Sequence, residues 1–108
     1  MTKKERDKIF RATARFIKKH PERYYQFHPN SCLCGLALIK AGADPRHNSS
    51  FELIQKVFGI SRDEADKLYT MSRWPSKLAY GLAEKVTYSQ GAADVGAERL
   101  LHYIKTGE

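Results

Sequence analysis

Twelve residues, Ser31-Cys-Leu-Cys-Gly-Leu-Ala-Leu-Ile-Lys-Ala-Gly42, form the most apolar window of the chain, and Lys40 is their only charge. A helix that is apolar all round has to be enclosed by other elements; it cannot lie on a surface. The stretch is therefore expected to be a central helix over about residues 31–41, capped by Asn30 or Ser31 and closed by Gly42. The rest of the chain must then supply apolar faces to cover it.

The flanking segments have that character. Thr2 and Glu5 make a capping-box pattern and His20-Pro21 a stop, so residues 3–19 are expected to form the first helix. At about 100° per residue, Ile9, Phe10, Thr13, Phe16 and Ile17 share its inner side. Pro21 can open a short helix through Phe27. After a loop from Ala43 to Ser50, with a turn at Asp44-Pro45, a helix starting near Ser49 or Ser50 points Phe51, Leu53, Ile54, Val57 and Phe58 inward and ends at Gly59. Ser61 and Glu64 form a second capping box, with Ala65, Leu68 and Tyr69 inside. Trp74 is extended before Pro75, which begins a helix facing inward with Leu78, Ala79, Leu82, Ala83 and Val86. After a break at Tyr88–Gly91, the last helix presents Ala93, Ala97, Leu100, Leu101 and Ile104, and Gly107 follows its end.

No segment alternates with the period of two that a half-buried strand requires. The expectation is an all-α, compact single domain over residues 1–108: a bundle of five to seven short helices around the central one. A chain of 108 residues buries enough surface for such a core. The opening Met-Thr-Lys-Lys-Glu-Arg-Asp-Lys lacks the apolar region of a signal peptide, and the longest apolar run, about ten residues, is too short to span a bilayer. A cytoplasmic location with no membrane partner is expected. Asn48-Ser49-Ser50 matches a glycosylation pattern that has no use there.

Charge is concentrated at one end. The chain carries a net +7, and residues 1–20 hold eight basic and two acidic side chains of that total. On the first helix Lys4, Lys8, Arg11, Arg15, Lys18 and Lys19 fall together, opposite the apolar side. Such a face can neutralise several phosphates, which points to a nucleic acid or another anionic macromolecule as partner, bound largely without regard to sequence. The plainer alternative is a solvated face that keeps the protein soluble. A second functional expectation is a protein-interaction or inhibitor module of phage type, anchored on a host protein by exposed aromatic side chains at Tyr24, Tyr25 and Trp74; the plainer alternative, and the favoured one, is that Trp74 and the tyrosines fill the core.

Both cysteines lie in the apolar window. His28, Cys32, Cys34 and His47 together offer the donor set of a tetrahedral zinc. The spacing opposes it, because residues two apart on a helix point in nearly opposite directions. A thiolate at a helix N-terminus, with His28 or His102 as base, is the corresponding enzymatic reading. Free cysteine is among the most buried residue types, and two core thiols, no cofactor and no catalytic residue are expected.

Residues Ile54 to Leu68 resemble the helix-turn-helix of phage repressors, with Gly59 in the turn and Ile60 just after it. Two features depart from that pattern. Gln55 stands where a small buried residue is usual, and Asp63, Glu64 and Asp66 on the second helix would face phosphates.

A wider resemblance rests on His20-Pro-Glu-Arg, the Cys-x-Cys-Gly-Leu-Ala helix start, Phe58-Gly-Ile-Ser-x-x-Glu-Ala-x-x-Leu-Tyr, Trp74-Pro75 and the closing Gly-Ala-Glu-Arg-Leu-Leu-His-Tyr-Ile-Lys-Thr-Gly-Glu. Residues 20–108 are similar to a family of small all-helical proteins of bacteria and their phages. That family usually spaces its two cysteines more widely. The resemblance implies a helical fold and names no reaction.

Overall fold

The structure is a computed structural model that describes residues 1–28, 30–46 and 50–108. Among them are six α-helices: α1 (Lys3–Lys19), α2 (Leu33–Lys40), α3 (Ser50–Phe58), α4 (Arg62–Tyr69), α5 (Ser76–Ala83) and α6 (Gln90–Thr106). Two single 3₁₀ turns, Pro21–Arg23 and Met71–Arg73, complete the helical structure, and no strand occurs among the described residues. Among the described residues no helix is long and apolar enough to cross a membrane. His47, the Asn48-Ser49 part of the glycosylation pattern, and the proposed helix start at Ser49 lie outside the described residues.

Local chemistry sets the ends of the helices. Thr2 and Glu5 exchange hydrogen bonds at the start of α1, and Ser61 and Glu64 do the same at α4, so each box satisfies two otherwise unpaired N–H groups. Gly59 follows α3 at φ +65° and Gly107 follows α6 at φ +78°, left-handed positions that a side chain would strain. One single core joins all six helices. It contains Phe10 and Ile17 from α1, Leu33 to Leu38 from α2, Ile54 and Phe58, Leu68, Leu82, and Leu100 and Tyr103.

The central helix is shorter than its sequence suggests. Cys32 is the N-cap, extended at φ −75° and ψ 173°, and its sulfur accepts a hydrogen bond from the Gly35 amide at 3.4 Å. Asn30 and Ser31 do not cap because the chain folds back first: Ser31 N and Cys32 N both donate to His28 O, and Tyr25 N donates to Ser31 O. The expected enclosure holds from Leu33 to Leu38 and fails in the last turn, where Ile39 is 50 % exposed.

Three other expectations are corrected. The helix opened by Pro21 ends after one 3₁₀ turn, because Tyr24 turns extended to enter the core. Helix α5 stops at Ala83, so Ala83 and Val86 lie on the surface, with Val86 76 % exposed. Leu101 is exposed on α6, whose inner stripe instead runs through Ala93, Gly96, Ala97, Leu100 and Tyr103.

Polar groups also reach the interior. Arg99 is fully buried; its Nη2 donates to Lys67 O at 2.9 Å and to Glu108 O at 2.5 Å, and its guanidinium lies 5.9 Å from the Trp74 ring. Burial lowers its pKa to about 10, which leaves it charged at neutral pH. Gln26 ties the chain before α2 to the end of α4. Its Oε1 accepts from Tyr24 Oη at 3.0 Å and from Leu33 N at 3.3 Å, while its Nε2 donates to Leu68 O at 3.4 Å.

Candidate nucleic-acid interface

Helix α1 turns Phe10, Thr13, Ala14 and Ile17 into the core and packs along α6. The two run antiparallel, since Phe10 meets Tyr103 near one end and Gln90 meets Lys18 at the other. The opposite side carries Lys4, Lys8, Arg11, Arg15, Lys18 and Lys19, all exposed. None of the six forms an ion pair among the described residues. At about 1.5 Å per residue the row extends for about 22 Å.

The acids of the same helix are engaged elsewhere. Glu5 accepts a hydrogen bond from Thr2 N within the capping box, and Asp7 is buried against the Arg6 guanidinium at 3.0 Å. Arg6 also stacks on the Tyr103 ring, 5.2 Å from its centroid, and so belongs to the seam with α6 and not to the cationic row. Outside acids reach only the C-terminal edge of the row among the described residues: Glu22 lies 3.5 Å from the His20 ring, and Asp94 is brought in through Gln90. Gln90 Nε2 bridges Lys18 O at 2.9 Å and Asp94 Oδ1 at 3.0 Å, which holds Asp94 near the C-terminal end of α1. Lys18 and Lys19 also complement the partial negative charge at that end, a stabilising role independent of any ligand.

Helix α4, the recognition helix of a helix-turn-helix reading, has spent its charges internally. Arg73 pairs with Asp63 at 2.8 Å and Asp66 at 2.6 Å, and Lys67 pairs with Asp63 at 3.2 Å. Glu64 accepts from Tyr103 Oη and from Ser61 N. Burial works to raise the Glu64 pKa, and the hydrogen bonds from Tyr103 and Ser61 outweigh it, leaving a lowered value.

The aromatic anchor expected at Tyr24, Tyr25 and Trp74 does not form a surface. Tyr24 is 1 % exposed and Trp74 4 % exposed; Trp74 Nε1 donates to Leu68 O at 3.0 Å, which gives the indole a polar partner inside the core. Tyr25 alone stays half-buried. The aromatic surface lies beside it, at Phe27 and Tyr88, which the spacing of residues did not single out.

The thiols are enclosed. Burial raises the pKa of Cys32, and burial with the neighbouring Cys32 raises that of Cys34 further, so both are protonated at neutral pH, the reverse of an activated nucleophile. Among the described residues no three His, Cys, Asp or Glu side chains gather as a metal site. Comparison of the chain with protein-family models, with curated proteins and with solved structures found no match.

Proposed function

We propose that the protein is a small non-enzymatic binding module that holds nucleic acid on the cationic face of α1. The observation that carries this reading is the row of six exposed cations with no ion pair among the described residues, on a helix whose own carboxylates are held by Thr2 and Arg6. Phosphates laid along such a row release counterions, and that release supplies most of non-specific affinity. The helix is anchored to the core through Phe10, Ala14 and Ile17, so the cations are presented on a rigid support.

The test is binding of labelled DNA and RNA at low salt by the native chain and by a Lys8→Glu, Arg11→Glu, Arg15→Glu variant. Three reversals take the formal net charge from +7 to +1 while leaving the apolar side of the helix intact. Loss of binding in the variant supports the reading. Binding absent from the native protein, or unaltered by the reversal, refutes it.

A further inference from the structure

The large apolar side chains left at the surface include an aromatic group at one end of the cationic row. Phe27 is 68 % exposed and Tyr88 48 % exposed. Tyr25 sits between them, its ring centroid 5.9 Å from that of Phe27, edge-on, and 5.4 Å from that of Tyr88. With Met71, Leu82 and Lys85 they line an open cleft of about 320 Å³.

The chain itself places this cleft next to the row. The side-chain Nε2 of Gln90 reaches Lys18 O at 2.9 Å, and Tyr88 precedes Gln90 by two residues, so about 7 Å at most separates their Cα atoms, and the Gln90 side chain spans the rest of the way to the end of α1. Lys85 brings a further cation to the cleft, its stem lying against Gly91. Tyr88 is also the only non-glycine residue at positive φ among the described residues, at +63°. A bulky side chain there is a strained outlier, and such strain concentrates at ligand-binding positions.

We propose that this cleft is a base-stacking platform, and that the ligand of the basic face is single-stranded nucleic acid and not duplex. The proposal rests on the nucleic-acid reading of α1. Phosphates of the strand follow the row from Lys4 to Lys19, and the bases running off the C-terminal end of the helix stack on Tyr88, Tyr25 and Phe27. Every base has a π-face, so a platform of this kind is tolerant of sequence, as the cationic row is. Bases inside a duplex are stacked on one another and offer no free face. Rings and cations together favour the occupant: an apolar peptide would leave Lys85 in the cleft and the neighbouring row unmatched, an acidic one would leave the rings unused, and a strand meets both.

The experiment measures anisotropy of labelled oligo(dT) and oligo(U) of about 12 nucleotides, and of a duplex of equal length, with the full chain. Phe27→Ala, Tyr88→Gly and Phe27→Trp are compared with the native protein and with the charge-reversed variant. Tyr88→Gly removes the ring while easing the backbone, and Phe27 is largely solvated, so both variants keep the fold. The expected result is a preference for single strand of about tenfold, weakened about fivefold or more by each ring removal and retained by Phe27→Trp. Charge reversal abolishes binding of every oligonucleotide. Equal binding of strand and duplex, lost on charge reversal and indifferent to ring removal, overturns the platform and leaves the basic face standing. Absence of any binding by the native protein overturns both.

Discussion

Gly96 lies directly beneath the Tyr24 ring: a Cβ added at Gly96 would stand 2.6 Å from Tyr24 Cζ and 2.8 Å from its Oη. The ring cannot swing aside, since Tyr24 is buried and its hydroxyl is held by Gln26. Overpacking of this kind costs about 1–3 kcal/mol and exceeds the gain of about 1 kcal/mol from replacing a helical glycine by alanine. Gly96→Ala should therefore lower the melting temperature. Gly81→Ala should raise stability by up to about 1 kcal/mol, because the nearest atom there is a Val95 methyl at 3.6 Å. Thermal unfolding followed by circular dichroism ranks the two, and the reverse order would refute this packing.

Trp74 belongs to the core and not to a binding surface. Trp74→Ala is expected to cost about 3–5 kcal/mol of stability, and Trp74→Phe less, since the ring volume is largely kept. Neither should change the oligonucleotide affinity of the folded fraction. An affinity loss in Trp74→Phe without a stability loss would return the indole to the surface.

Stability should fall on the alkaline side. Burial raises the pKa of Cys32 and Cys34 above the ordinary value near 9, and that of Tyr24, Tyr69 and Tyr103 above the ordinary value near 10. The unfolded chain then binds fewer protons than the native one, so the slope of stability against pH is negative. The contribution of these groups is complete below about pH 8 and is lost as pH rises through 9 and 10. Arg99, lowered to about 10, opposes them only above that value. Urea unfolding between pH 7 and 10.5 checks the sign. In the same window the thiols of the native protein should resist a thiol reagent and react on unfolding; rapid native reaction would contradict their enclosure.

Asp94 is a carboxylate tied to the edge of the cationic row through Gln90. Its neutralisation in Asp94→Asn should strengthen oligonucleotide binding by about 1.5- to 5-fold at low salt, the range of a single exposed charge interaction. The gain should vanish as salt is raised. A weaker complex would place the strand elsewhere.

The helices were legible because their signals are local. Thr2 with Glu5, Ser61 with Glu64, and the glycines at 42, 59 and 107 act within a few residues of the ends they set. The cationic row is equally local, a matter of period along one helix. What escaped depends on partners far away in the chain. Gln26 is buried because it reaches Leu68 O, the same carbonyl that takes the Trp74 indole N–H, and Arg99 because carbonyls of Lys67 and Glu108 converge on it. Cys32 caps α2 only because the preceding turn spends Ser31 on backbone bonds. The aromatic cleft exists because Tyr25 and Tyr88, distant in sequence, meet across the start of α6. Tyr24 and Trp74 could have anchored a partner or filled the core; they fill it, and the exposed rings are Phe27 and Tyr88.

The central claim is that the cations of α1 meet phosphates, and the dependence of affinity on salt measures it most directly. For a single strand the logarithm of the binding constant should fall against that of salt concentration with a slope of about −0.7 per phosphate neutralised. If four to six cations engage, the native protein should give a slope of about −3 to −4. Removing one contact, as in Arg11→Ala, should make it shallower by about 0.7. A slope near zero, or one that the loss of Arg11 leaves unchanged, would contradict the account.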